Sequence, residues 1–103
     1  MGHVIENLLR VAPERTQASY YRTATGVELD LILELPNGER WSVEVKRGSA
    51  PKLERGYWQA HEDIKPDRAF VVYSGEDHYN KGKGVEVIGL KQMAQLLFKL
   101  NLP

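Results

Sequence analysis

The sequence predicts an α/β (α+β) fold, a mixed β-sheet flanked by helices in the order αβββαββα. Three observations carry this. Residues 26–48, "GVELDLILELPNGERWSVEVKRG", alternate apolar and polar positions on either side of a turn, the mark of two half-buried strands. Residues 68–74, "RAFVVYS", are an apolar run of strand length, as expected of a strand covered on both faces. Around them, apolar residues recur at helical spacing in residues 4–11, 53–64 and 90–100.

In the first helix, Val4, Ile5, Leu8 and Leu9 share a face, and Pro13 with the polar run to Ser19 ends it. "YYRTA" (20–24) and "VELDLILEL" (27–35) follow as strands around a Thr25-Gly26 turn, and "RWSVEVK" (40–46) is the third. Ser49 suits the N-cap of the next helix, with Pro51 tolerated in its first turn. Leu53, Tyr57, Ala60 and Ile64 form the buried stripe of that helix, and Pro66 ends it. Tyr57 belongs to the core, while the adjacent Trp58 is either rim packing or an exposed stacking platform. A polar, glycine-containing loop (75–84) connects to the short strand "VEVI" (85–88). The last helix places Leu90, Met93, Leu97 and Leu100 on one face. With no repeat, linker or low-complexity tract, residues 1–103 read as one domain.

Composition narrows the function classes. Apolar residues make up 42% and charged residues 27%, values of a globular chain rather than a disordered one. No apolar run reaches the ~18 residues of a membrane span, and the N-terminus has no signal-peptide pattern. The absence of cysteine excludes disulfides, thiolate metal sites and a cysteine nucleophile. A cytoplasmic address is the default expectation, with no membrane partner. Fourteen basic residues balance 14 acidic ones, which counts mildly against a dedicated nucleic-acid binder. Locally, "KRGSAPKLERG" (46–56) holds four basic residues against one acid; it is either a solvated face or a phosphate-contacting one. His3, His61 and His78 lack zinc-ligand spacing, and His61 reads as surface decoration beside Glu62 and Asp63. No nucleophile-elbow pattern accompanies the serines.

The turn "LPNGE" sets the hairpin register. A two-residue Asn-Gly turn would place Asp30 opposite Val45 and Leu31 opposite Glu44, mixing charge with apolar side chains on both faces. A three-residue loop, with Pro36 and Asn37 in a type I turn and Gly38 in the left-handed bulge position, pairs Leu35 with Glu39. Leu33 then meets Trp41, Leu31 meets Val43 and Leu29 meets Val45 on one apolar face. The other face pairs Glu34 with Arg40, Ile32 with Ser42, Asp30 with Glu44 and Glu28 with Lys46.

Two of these pairs are of opposite charge, an ordinary device of an exposed sheet. Asp30 opposite Glu44 is not. At ~5 Å and an effective dielectric of ~20, two such charges repel by roughly 3 kcal/mol, less where solvent screens them. A divalent cation would relieve the pair, since Mg²⁺ is held by one or two carboxylates with waters and phosphate oxygens. A raised carboxylate pKa, or Lys46 reaching sideways, would relieve it too. The residues alone leave both solutions open.

Asp30, followed after a hairpin by Glu44-Val45-Lys46, resembles the signature of the PD-(D/E)XK (restriction-endonuclease-like) nuclease superfamily, whose fold also begins with a helix and a β-meander. "YYRTATGVELDLILEL…SVEVKRGSAPKL" and "RAFVVYSGEDHY" are similar to the uncharacterised C-terminal domain of a family of bacterial and archaeal AAA+ ATPases. This resemblance runs from about Val4 to the final helix. It implies a restriction-endonuclease-like core and Mg²⁺- or Mn²⁺-dependent hydrolysis of nucleic-acid phosphodiesters, DNA above all. On this resemblance Asp30 and Glu44 are the metal-binding carboxylates, the carbonyl of Val45 adds a third ligand, and Lys46 completes the catalytic set. Glu6, Glu28 and Gln59 are the supporting residues it implies. Arg47, Lys52 and Arg55 are placed to hold backbone phosphates, which predicts salt-dependent affinity. The chain departs from the family in beginning without the helix that usually precedes "VIENLL". No GxxxxGK[ST] loop occurs, so no ATP site is expected, though an ATPase is an expected partner. The alternative function, from another class, is a non-catalytic binding or oligomerisation module that keeps the fold, with a homodimer expected if Leu8 and Leu9 are left uncovered.

Overall fold

The computed structural model describes residues 2–48 and 52–101. The chain runs α1 (Gly2–Val11), β1 (Gln17–Arg22), β2 (Glu28–Glu34), β3 (Arg40–Val45), α2 (Arg55–Ile64), β4 (Arg68–Tyr73), β5 (His78–Gly82), β6 (Val85–Gly89) and α3 (Leu90–Lys99). A six-stranded mixed sheet has the order β1-β2-β3-β4-β6-β5. β1, β2 and β3 form an antiparallel meander; β3, β4 and β6 are parallel; β5 returns antiparallel on β6.

β5 is the strand that the expected order αβββαββα lacks. All five of its residues are exposed. It is held by backbone pairing to β6 at an edge of the sheet, so it has no buried face and no apolar alternation to announce it.

Helices cover both faces. α1 and α3 bury Leu8, Met93 and Leu97 against Leu31, Leu33, Trp41, Val43, Phe70 and Ile88. α2 buries Tyr57 and Ala60 against Leu29, Ala69, Val71, Val85 and Val87. The continuous apolar run of β4 follows from this arrangement, because Phe70 and Val72 feed one core while Ala69 and Val71 feed the other. Leu8 is fully buried between the helices and the sheet, and only Leu9, 39% exposed, stays partly outside. The expected N-cap Ser49, with Pro51, lies outside the described residues. Residues 52–54 are not helical, and α2 starts at Arg55. It ends where Lys65 turns left-handed (φ 51°) and donates its N–H to the His61 carbonyl, just before Pro66. No helix among the described residues is long and apolar enough to cross a membrane.

The β2–β3 turn has the three-residue form. The Leu35 N–H donates to the Glu39 carbonyl at 2.9 Å, and Gly38 takes the left-handed conformation (φ 91°) that this loop requires. Leu33 faces Trp41, Leu31 faces Val43, Ile32 faces Ser42 and Glu34 faces Arg40, as the alternation predicts. Beyond Leu31 the register changes. Against β1, the pairing steps from Ser19–Ile32 to Tyr21–Leu29, so β2 sets three residues where β1 sets two. This bulge moves Leu29 off the expected face. It packs instead with Tyr57 and Ala60 under α2, and the expected Leu29–Val45, Asp30–Glu44 and Glu28–Lys46 rungs are absent from the ladder.

A carboxylate pair where the sheet changes direction

β3 is the junction of the antiparallel and parallel halves of the sheet, and the candidate functional site lies there. The Lys46 N–H, beyond the end of β3, donates to Val72 on the β4 side at 2.8 Å. The preceding N–H, of Val45, points toward β2, where the ladder has already stopped. It donates to Asp30 Oδ2 at 2.9 Å, and the Asp30 N–H donates to Glu44 Oε1 at 3.3 Å. Two carboxylates thus stand where carbonyl groups would continue the ladder, and each holds the neighbouring strand.

Electrostatics follows from that placement. Burial, and then the negative charge of Asp30, pushes the Glu44 carboxyl up to about 7; the hydrogen bond from the Asp30 backbone and the Lys46 ammonium act in the other direction. Lys46 Nζ lies 3.7 Å from Glu44 Oε2. Both metal-free ways of relieving the pair are therefore present, a raised pKa and a sideways lysine. The two carboxyls also meet side chain to side chain, and this contact raises the Glu44 pKa further.

Two buried hydroxyls adjoin Glu44 on the α2 face, and the sequence did not single them out for the site. Ser42 is fully buried, and burial followed by the Glu44 charge pushes the Tyr57 phenol up to about 12. Neither hydroxyl completes a hydrogen bond, although Ser42 is near enough to act on Tyr57 in the opposite sense. The hairpin register did place Ser42 on the same face as Glu44. Nothing in the spacing of the helix reveals that Tyr57 approaches them.

The remaining candidates are spread around this centre. Glu28 pairs with Arg22 at 3.2 Å, not with Lys46, and borders the same small recess as Asp30. Glu6 is exposed on α1, and no described hydrogen bond or ion pair joins it to either carboxylate. Gln59 donates to Asp63 at 3.3 Å and lines a polar recess with Arg55, Thr23 and Thr25. Arg47, Lys52 and Arg55 are exposed. His61 is more than surface decoration: its ring stacks on Tyr57 (centroids 6.1 Å apart), meets Trp58 edge-on and bonds the Lys83 carbonyl at 3.1 Å. Trp58 itself is half-buried against the α2 core, with Lys83 over its ring.

Among the described residues, no group of three or more His, Cys, Asp or Glu gathers around one point. The donor set at the junction is the two carboxylates. That set fits an octahedral Mg²⁺, which keeps several waters and takes substrate phosphate oxygens, and it does not fit an all-protein cage.

Fold and site together define a mixed-sheet α/β domain with a carboxylate pair and a lysine at the antiparallel-to-parallel junction. The chain belongs to the family described as "Domain of unknown function (DUF4143)", which matches it over residues 2–93. Domains of this family are commonly the C-terminal domains of AAA ATPases. No curated protein and no solved structure matches the chain.

Proposed function

We propose that this chain is a PD-(D/E)XK-like domain whose Asp30, Glu44 and Lys46 serve Mg²⁺- or Mn²⁺-dependent hydrolysis of a nucleic-acid phosphodiester. The observation that carries this reading is the juxtaposition at the end of the β2–β3 ladder. Two carboxylates meet across the strands, each accepting a backbone N–H, and an ammonium stands beside them. Asp30 Oδ1, Glu44 Oε2 and the Val45 carbonyl are the groups that would hold the ion. A bound divalent cation supplies Lewis-acid polarisation of water and phosphate. The protein's own groups do the rest. The Asp30–Val45 bond fixes the carboxylate direction, Lys46 neutralises charge on a phosphoryl oxygen, and Arg47, Lys52 and Arg55 hold flanking phosphates. These contacts are to the backbone, so recognition is of strand structure rather than base sequence. The company that the family keeps supports association with an ATPase.

A second reading, a binding or oligomerisation module, draws on different observations. The carboxylates already have a structural task in capping the ladder, and Leu9, Phe98 and Leu100 leave apolar surface on α1 and beside α3. Sedimentation showing only monomer across the micromolar range would remove the homodimer from this reading.

Calorimetric titration of Mn²⁺ and Mg²⁺ into the wild type, Asp30→Ala and Asp30→Asn separates the two. Asparagine keeps an oxygen for the Val45 N–H and loses the charge. Binding in the wild type that vanishes in both variants supports the hydrolytic reading, and cleavage assays on single-stranded and branched DNA follow. No heat in any of the three at millimolar metal, with phosphodiester present, leaves the module reading in front.

A further inference from the structure

A cavity of about 610 Å³ opens at the carboxyl ends of β3 and β4, beside the start of α3. In open α/β sheets this is the crevice where ligands are bound, because strand ends and helix starts leave backbone groups and loops facing a common space. Its volume falls within the range of small-molecule sites. The walls have two characters. Val4, Val45, Val72 and Leu90 provide an apolar floor, while Lys46, Arg47 and Lys91 reach the same space against the single carboxylate of Glu76. Arg47 and Lys91 are exposed and make no ion pair among the described residues.

The helix start adds to the positive side. α3 follows β6 directly; its N-cap, Gly89, offers no side-chain cap, and no acidic residue sits in the first turn. The start of the helix carries the positive end of its dipole. The wall opposite is held firmly. Gln92 donates to the Glu76 carbonyl, and Tyr73 accepts from the Asp77 N–H at 3.0 Å. A Cβ on Gly75 would lie 2.4 Å from the Tyr73 ring, and a Cβ on Gly89 would lie 2.4 Å from Gly75 O. Glycine at both places lets the loop after β4 close tightly against α3.

Arg47 and Lys91, with Lys46 shared with Glu44 and a helix start beside an apolar floor, describe a ligand with concentrated negative charge and a flat or apolar body. A carboxylate brings one charge; a terminal phosphate brings nearly two. We propose that this cavity binds a terminally phosphorylated nucleotide, the phosphate at Lys91, Arg47 and the start of α3, and the base on Val4, Val45 and Leu90. The same chemistry is presented by a free mononucleotide and by the phosphorylated end of a single strand. A duplex end, with its base paired and stacked, cannot place a base on the floor. Lys46 borders both this cavity and the carboxylate pair, so a strand end seated here is directed toward the candidate hydrolytic site. That last link rests on the proposed function; the binding does not.

The test is fluorescence anisotropy in EDTA with a labelled 12-nucleotide strand carrying a 5′-phosphate, a 3′-phosphate or no terminal phosphate, and with the matching blunt duplex. Lys91 is exposed, so Lys91→Ala leaves the fold intact, as its melting temperature will show. Lys99→Ala, at the far end of α3, removes the same charge away from the cavity. The expected result is about tenfold tighter binding of one phosphorylated strand than of the unphosphorylated one. That preference falls to about twofold or less in Lys91→Ala and persists in Lys99→Ala. Competition by free AMP at the affinity of the strand supports the site with a free nucleotide as its occupant; failure of AMP to compete with a bound phosphorylated strand supports it with the strand end. Equal affinity with and without terminal phosphate, an undiminished preference in Lys91→Ala, or binding of the duplex as tight as the strand overturns the proposal. A parallel gel with Mg²⁺ reads cleavage separately: preference without cleavage removes the hydrolytic reading alone.

Discussion

The two ends of the β2–β3 hairpin are built from the same kind of sequence and behave differently. Near the turn, Glu34 and Arg40 face each other across a regular rung and pair at 2.6 Å, both partly in solvent. At the open end, Asp30 and Glu44 are more buried, of like charge, and no longer partners in a rung; their side chains bond the backbone instead. The turn end uses charge where water makes it cheap. The open end concentrates charge where burial makes it costly, a placement found at functional sites and in structural ion-pair networks alike.

The largest expected effect breaks this comparison at its functional end. If the open end is hydrolytic, Asp30→Asn lowers the cleavage rate by about a thousandfold, because the ligand charge is lost while the Val45 bond has an acceptor. Single-turnover kinetics with Mn²⁺ reads it, and an unchanged rate removes Asp30 from the chemistry. The turn end answers to packing: Leu33→Ala, at a fully buried position, is expected to cost about 3 kcal/mol in urea unfolding without touching metal affinity.

A smaller effect sharpens the electrostatic contrast. The Glu44 pKa is raised from 4.5 to about 7. Its proton is bound more tightly in the folded protein, so its contribution to stability is fully present below pH 4.5 and is lost as pH rises through about 7. Discounted for partial exposure, the loss is about 2 kcal/mol between these limits. Glu44→Gln should flatten that part of the stability profile measured in metal-free buffer, and a profile identical to wild type would show that Glu44 titrates normally. The smallest effect belongs to the turn end, where Glu34→Ala should cost about 0.5 kcal/mol and less in high salt, as an exposed ion pair does.

How far the chain could be read depended on which forces were local. The helical stripes, apart from Leu9, Leu53 and Leu100, the doubly covered β4 and the three-residue turn all lie within short segments, and each emerges from spacing or turn chemistry. Asp30, Glu44 and Lys46 stand out for the same reason, since alternation puts charged residues at conspicuous positions. Glu28 shows the limit: it is equally conspicuous, but it had an alternative partner on β1, Arg22, which the hairpin alone did not include. His61 was read from its polar neighbours on one helix, yet its environment comes from Tyr57, Trp58 and the β5–β6 turn.

The sequence by itself determined the elements that bury a stripe or an alternating face, the hairpin register from Leu31 to the turn, and the presence of a charged cluster beyond it. Their periodicities are properties of the single helix or strand, and water enforces them wherever the segment goes. Only the tertiary structure decided the bulge between β1 and β2, the transfer of Leu29 to the α2 face, the polar edge strand β5, and the carboxylates in place of ladder carbonyls. A bulge arises from competition between pairing on one edge of a strand and packing on its face. The two competitors, β1 and α2, reach β2 from different parts of the chain and meet it only once the sheet has closed.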